Sequence, residues 1–116
     1  MSNIVINRKS LTITRNISAI TSYNNIMIVG CMEGHMYIYD IESLKLLYEY
    51  EKMNSEITCI HAINNIIVNG TANGYLRILE LSGGTFEDIC KEGIDLDIQK
   101  AHIFKNDNKL LEYISN

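Results

Sequence analysis

Short apolar runs separated by polar turns recur along the chain. Ile57–Ile63 loosely alternates apolar and polar residues, and the almost purely apolar run Ile66–Asn69 follows it. Alternation is typical of a half-buried strand, and a short apolar run is typical of a strand buried on both faces. Asn64 and Asn65, which lie between the two runs, predict a hairpin turn because Asn tolerates left-handed backbone angles. Tyr75–Leu81 predicts a third strand after a glycine-bounded turn.

This strand pattern is repeated with a period of forty residues. The segment Ile17–Ile41 reappears as Ile57–Leu81, and eight of the twenty-five aligned positions are identical. A period of about 40 residues built from short strands is typical of β-propeller blades. The predicted fold class is therefore all-β, with four-stranded antiparallel blades. Each blade needs neighbours because it cannot bury both faces of its sheet alone.

The fourth strands of the two blades differ in character. In Leu44–Lys52, apolar and aromatic side chains alternate with carboxylates, which predicts a half-exposed outer strand. The equivalent stretch Thr85–Glu92 favours a strand, because the repeat register continues through it. It also fits a short helix, with Thr85 and Asp88 as a capping box and Gly93 as a stop.

The whole chain, 1–116, is interpreted as one propeller-like segment with a partial blade at each end. The last residues, 106–115, fit either a second strand of the final partial blade or a helical turn. The predicted units are an outer strand of a preceding blade at 10–15, a first blade at 17–52, a second blade at 57–92 and the start of a third blade at 97–114.

Glycines and tyrosines mark the predicted turns and surfaces. Because glycine adopts positive φ without strain, turn roles are predicted for Gly30, Gly34, Gly70 and Gly74. Tyrosine is favoured at interfaces, since it buries a large area and keeps a polar group. Tyr48 and Tyr50 on the outer strand and Tyr75 at a turn therefore form the candidate contact surface, with ordinary strand packing as the alternative.

The stretch Gly30–Leu47, GCMEGHMYIYDIESLKLL, resembles the WD-repeat β-propeller family. In that family a glycine-bounded turn leads into a strand that ends in an aromatic residue followed by Asp. Tyr39 and Asp40 stand where the family has Trp-Asp, and the second repeat has Leu79 and Glu80 there. The resemblance extends over roughly Ser10 to Phe104.

The chain departs from that family in its polar network. The family often has a Gly-His pair before the first strand, whereas Glu51–Ser55 contains no His, and the chain has no Trp. The usual His–Ser/Thr–Asp–Trp network cannot form. The resemblance thus implies degenerate blades, which aliphatic packing and strand hydrogen bonds hold together.

The number of blades predicts an incomplete ring. Propellers close with about four to eight blades, and this chain is predicted to hold two full blades and two partial ones. Three interpretations remain open. The chain is a fragment of a larger propeller, or self-association or a partner completes it, or its own termini cover a short open stack.

Composition restricts the classes of function. The net charge of -4 and the isoelectric point near 5.3 argue against a nucleic-acid partner. The longest apolar run is far shorter than the roughly 20 residues of a membrane span, so no membrane partner is expected. Three cysteines without CxxC spacing argue against a disulfide framework. An intracellular location is expected, in the cytoplasm or alternatively in the nucleus.

No arrangement of side chains predicts catalysis. The three histidines and the pair Asp95 and Asp97 are interpreted as structural or solvated residues, so no enzyme activity, cofactor or metal is expected. The expected function is a non-catalytic protein–protein interaction scaffold, completed by a homo-oligomer or a protein partner. The alternative is an oligomeric propeller that binds a small ligand such as a carbohydrate, although the absence of Trp counts against it.

Overall fold

The structure is a computed structural model and describes residues 1–82, 98–105 and 112. The predicted fourth strand or helix at 85–92 and the undecided segment 106–115, apart from residue 112, lie outside the described residues. The described strands are β1 (Ser2–Ile6), β2 (Lys9–Ile13), β3 (Ile17–Tyr23), β4 (Ile26–Cys31), β5 (Met36–Asp40), β6 (Leu46–Tyr50), β7 (Ile57–Ile63), β8 (Ile66–Thr71), β9 (Tyr75–Leu81) and β10 (Ile98–Lys105).

These strands form three antiparallel sheets. β1 and β2 pair as an N-terminal hairpin, β3-β4-β5-β6 form the first blade, and β7-β8-β9-β10 form the second blade. Each blade is a simple meander in which consecutive strands pair. Within the described part of the chain, the hairpin and the two blades follow one another without closing into a ring.

The hairpin turns follow from the residues that the sequence places there. Asn24 and Asn64 have φ values of 52° and 53°, and each stands in the turn between the first two strands of its blade. The side chain of Asp40 accepts hydrogen bonds from the backbone N–H groups of Glu42 (2.8 Å) and Ser43 (3.1 Å). This Asx-type turn carries the chain from β5 to β6.

The fourth strand of the second blade differs from the prediction. Ile98–Lys105 pairs antiparallel with β9, so the assignment of this strand to a third blade, 97–114, is wrong. The prediction assumed equal connections in both repeats. In the structure β9 and β10 are separated by sixteen residues, 82–97, against five between β5 and β6. Strand pairing tolerates this difference because the entropic cost of closing a loop rises only slowly with the length of the loop.

The first blade packs against neighbours on both faces. A core cluster between the blades joins four side chains of the first blade to four of the second: Ile26, Ile28, Met36 and Ile38 with Ala62, Ile67, Leu79 and Leu81. A second cluster on the other face of the first blade joins Met27, Val29, Cys31, Tyr37 and Tyr39 to Ile13, with Ile4, Ile6 and Leu11 of the hairpin packed against it. Burial of these aliphatic groups is the main source of stability.

Gly30 and Gly70 lie inside β4 and β8, so the prediction that they are turn glycines is wrong. Gly30 is needed for a close approach between blades, because a Cβ there would overlap the side chain of Ile57 and come within 3.0 Å of Ile60 Cδ1. Gly34 and Gly74 do lie in turns, with φ values of +100° and +88°.

Two hydrogen bonds fix the inner strands of the blades to each other. Ser18 Oγ donates to the carbonyl oxygen of Ile57 (2.6 Å), and the backbone N–H of Asn64 donates to the Tyr23 hydroxyl (3.1 Å). Both bonds span about one repeat in sequence. Each blade therefore positions the next through its first strand.

Candidate functional site: the interblade cleft

A cleft of about 410 Å³ lies where the two blades meet at one edge of the sheets. The connection between β6 and β7 forms one wall, and the turn between β8 and β9 forms the other. We call it the interblade cleft, and the polar and aromatic residues that line it are Tyr50, Glu51, Lys52, Asn54, Asn73, Tyr75 and Arg77.

Arg77 contributes to the floor of the interblade cleft. Side chains alternate along β9, so Arg77 points toward the first blade, while Leu76 and Ile78 point away from it. The side chain is only 1% exposed. A charged group is buried at this depth only where nearby groups compensate for the lost water.

The described groups in direct contact with the Arg77 guanidinium are uncharged. Nε donates to Asn69 Oδ1 (3.0 Å), and a terminal nitrogen donates to the Glu51 carbonyl oxygen (2.8 Å). The Tyr50 ring lies 4.5 Å from the guanidinium carbon, within cation–π range. Burial lowers the pKa of Arg77 to about 10, against the opposing effects of Tyr50 and Glu51. Arg77 is thus a cation at neutral pH.

The two walls of the cleft are tied to the blades. The backbone N–H of Met53 donates to the Gly34 carbonyl (3.0 Å), which fixes the β6–β7 connection to the first blade. The backbone N–H of Asn73 donates to Ser55 Oγ (3.1 Å), and Thr71 Oγ1 donates to Asn73 Oδ1 (2.6 Å). These contacts hold the shape of the cleft in place.

The structure brings together two of the three tyrosines predicted as a contact surface. Tyr50 and Tyr75 both line the cleft, and Tyr75 is 38% exposed. Tyr48 does not line it, because its ring stacks on Tyr50 (centroids 6.0 Å apart) and packs against the interblade core. The sequence analysis missed Arg77, although a single basic residue inside the apolar strand YLRILEL was a signal for a buried polar contact.

The predicted aromatic-Asp pair lies outside the cleft. Tyr39 is 7% exposed and packs in the cluster beneath the hairpin, where burial raises the pKa of its hydroxyl. Asp40 holds the β5–β6 turn through the hydrogen bonds described above. The pair therefore has a structural role in this chain.

His35 is the one described residue with a buried side-chain nitrogen that lacks a hydrogen-bond partner, at Nδ1. Its ring stacks on Tyr37, with centroids 6.3 Å apart. Burial lowers the pKa of His35, and the positive charges of Arg15 and Lys52 lower it further. The folded chain thus favours the neutral imidazole.

The far side of the second blade carries an apolar surface that the described residues leave partly exposed, and we call it the open face: Ile66, Val68, Gly70, Leu76 and the buried Ile78. These positions repeat, forty residues later, the first-blade residues that pack on the second blade: Ile26, Ile28, Gly30, Met36 and Ile38. In the first blade, Ile26, Ile28 and Met36 are at most 1% exposed, whereas Ile66, Val68 and Leu76 are only half-buried.

A second apolar recess lies beside the N-terminal hairpin. It has a volume of about 400 Å³, and Ile4 and Ile6 of the hairpin face Ile20, Met27 and Ile41 of the first blade across it. Ile20 is 53% exposed, although its repeat equivalent Ile60 packs against the interblade core. The hairpin therefore covers the face of the first blade only in part.

The described residues offer no group of three or more His, Cys, Asp or Glu side chains that would hold a metal ion. No helix in the described part of the chain combines the length and the apolarity needed to cross a membrane. Both thiols in that part, buried Cys31 and exposed Cys59, are free.

A family model matches most of the chain. The family model described as the LRRK2 β propeller matches residues 5–89. That range contains both the interblade cleft and the open face, apart from the contribution of β10. No curated protein matches the chain.

Solved structures share the fold. The β-propeller domain of Cps50 (Swd1) from Myceliophteria thermophila is 13% identical, with a TM-score of 0.56 over 73% of this chain and 28% of that one. The computationally designed protein Ika4 is 26% identical, with a TM-score of 0.56 over 60% of this chain and 43% of its own. The designed protein Ika8 is 28% identical, with a TM-score of 0.53 over 59% of this chain and 21% of its own.

These matches confirm the predicted all-β fold of WD-repeat-like propeller blades. The chain spans less than half the length of each of these solved structures. The alignment with Swd1 shows the fold alone, because so few residues are identical.

Proposed function

We propose, from the premise that the chain belongs to the LRRK2 β-propeller family, that it is a non-catalytic protein-interaction module. In this proposal the open face of the second blade engages a further protein surface, supplied by a second copy of the chain or by a partner. Propeller blades bury both faces against neighbours, so a blade with a face that the described residues leave partly exposed is an incomplete unit.

One observation carries this proposal. The open face repeats, position by position, the first-blade surface that is buried against the second blade. Gly70 repeats Gly30, whose missing side chain makes room for Ile57 of the following blade. The open face therefore has the shape and apolar chemistry of a surface that receives another blade.

We expect the isolated chain to self-associate through this face. Association would remove the half-buried aliphatic side chains of this face from water, which stabilises the complex by about 25 cal/mol per Å² of apolar surface. Substitution of Val68 by Asp places a charge in the centre of the open face and should shift the chain toward monomer. Multi-angle light scattering of the two proteins at matched concentrations measures the change.

The matched control is Val5→Asp. Val5 also lies in a strand but is 69% exposed on the N-terminal hairpin, so this charge should leave association unchanged. Circular dichroism of both variants shows whether the β fold is retained. A wild-type chain that stays monomeric would exclude a second copy as the occupant, and equal association of the Val68 and Val5 variants would contradict the role of the open face.

A small-ligand function is the second candidate, and the interblade cleft is the observation that favours it. Tyr50 and Tyr75 supply aromatic surface, and Asn54 and Asn73 supply amide groups, which are the groups that hold polar ligands such as carbohydrates. The tyrosines take the place of the tryptophan that the chain lacks.

A further inference from the structure

We propose that the interblade cleft binds a carboxylate side chain, Asp or Glu, of a peptide partner. The proposal rests on the protein-interaction function proposed above and names the chemical group that one partner places in the cleft. It uses the side of the second blade opposite to the open face, so either proposal can fail without the other. Its basis is the charge and the lining of the cleft.

The first observation is a buried cation without a carboxylate partner. Among the described residues, no carboxylate lies within salt-bridge distance of Arg77, and its N–H groups donate to an amide oxygen, a backbone carbonyl and the Met36 sulfur. Buried charges in proteins are usually paired. Arg77 therefore forms no ion pair with a described residue, and the Tyr50 ring and the more distant Glu51 carboxylate offset its positive charge only in part.

The second observation concerns how that charge acts on a ligand. Arg77 is too deeply buried to be contacted over much of its surface, so its effect is the field it creates in the cleft. Low-dielectric walls focus such a field and raise the local concentration of oppositely charged groups. Glu51 is the one carboxylate of the described lining, and its side chain is exposed and therefore well screened.

Direct contacts come from the rim. Lys52, Asn54 and Asn73 are exposed residues that line the cleft and carry hydrogen-bond donors. A carboxylate accepts up to four hydrogen bonds, and charge-assisted bonds are about twice as strong as neutral ones. The rim therefore supplies the donors, and Arg77 below supplies the field.

The net charge of the chain and the volume of the cleft indicate which class of ligand fits. The net charge of -4 disfavours a polyanion such as a nucleic acid, so a single anionic group is the better match. The volume of about 410 Å³ has room for one side chain and part of its backbone. The exposed ring of Tyr75 offers apolar contact to the chain of that peptide.

Titration calorimetry with a capped pentapeptide, acetyl-Gly-Glu-Leu-Glu-Gly-amide, tests the proposal on the full chain. The Glu peptide should bind roughly tenfold more tightly than the same peptide with Gln at both positions, since loss of the charge removes the attraction. Binding of the Glu peptide should weaken as salt rises.

Lys52→Gln removes a rim charge without disturbing the buried floor and should weaken binding of the Glu peptide several-fold. Lys45→Gln removes an exposed Lys in the turn between β5 and β6, outside the cleft, and should have no effect. Equal affinity for the Glu and Gln peptides, an equal effect of the two Lys variants, or no binding would overturn the proposal. Preference for inorganic phosphate over the Glu peptide would also overturn it.

Discussion

Substitution of Gly34 by Ala should lower the free energy of unfolding by about 3 kcal/mol, because it combines backbone strain with a clash. Gly34 has a φ of +100°, a conformation that L-residues rarely adopt. A Cβ there would also overlap the carbonyl oxygen of Met53 and come within 2.8 Å of the Ser55 carbonyl oxygen. The added methyl group would push the β6–β7 connection away from the first blade.

The matched control is Gly74→Ala. Gly74 occupies the equivalent turn with a φ of +88°, but no described atom lies within 4 Å of the position that its Cβ would take. Only the backbone strain remains, so the expected loss is about 1 kcal/mol. Urea denaturation at matched protein concentration measures both losses. Equal losses for the two variants would show that the β6–β7 connection does not press against Gly34.

Substitution of Arg77 by Ala should also cost about 3 kcal/mol, because it leaves a cavity and takes the donors from one buried and one part-buried acceptor. Those acceptors are Asn69 Oδ1 and the Glu51 carbonyl oxygen. The Tyr50 ring also loses its cation–π contact. Denaturant unfolding again measures the change in the free energy of unfolding.

Arg77→Met separates packing from hydrogen bonding. The Met side chain refills most of the space of the Arg stem but supplies no N–H group, so its cost should be smaller than that of Arg77→Ala. If Arg77→Ala changes the free energy of unfolding by less than about 0.5 kcal/mol, the guanidinium behaves as a surface group. The description of the cleft floor would then be wrong.

Local patterns were enough to predict the four strands of the first blade and the first three strands of the second blade. Asn24 and Asn64 set left-handed turns through their own backbone preferences, and the apolar runs that follow them become buried strands for reasons contained within a few residues. The resemblance to WD-repeat blades followed from the same spacing. These features depend on short-range interactions, which the sequence displays directly.

Features that depend on contacts between distant parts of the chain could not be predicted from the sequence. The pairing of β10 with β9 depends on a strand edge that β10 reaches only after a long connection, so the repeat register placed it in the wrong blade. Gly30 reads as a turn glycine in isolation, and only the approach of Ile57 reveals why it has no side chain.

Arg77 was missed for a related reason. A basic residue is usually exposed, and its burial follows from the acceptors that Asn69 and the β6–β7 connection bring to it. Those partners are eight and twenty-six residues away in the chain. The interblade cleft could therefore be found only from the assembled blades, although two of its tyrosines had been identified from the sequence.

The central claim is that the open face of the second blade receives another blade as the first blade receives the second. The repeat pair Gly30 and Gly70 tests it most directly. Gly30→Ala should destabilise the chain itself, because its Cβ would lie 2.7 Å from the Ile57 Cβ. A Cβ at Gly70 meets only the Cys59 sulfur at 2.9 Å and the Thr58 hydroxyl at 3.6 Å, and the exposed Cys59 side chain can rotate away.

The decisive measurement is sedimentation velocity of the wild-type chain and the Gly70→Ala variant at matched concentrations. The account predicts that the wild-type chain sediments as an associated species. It predicts that the Gly70→Ala variant keeps its fold by circular dichroism and shifts toward the monomer, because the added methyl group blocks the approach of another blade. Sedimentation of both proteins as the same species, whether monomer or oligomer, would contradict the claim.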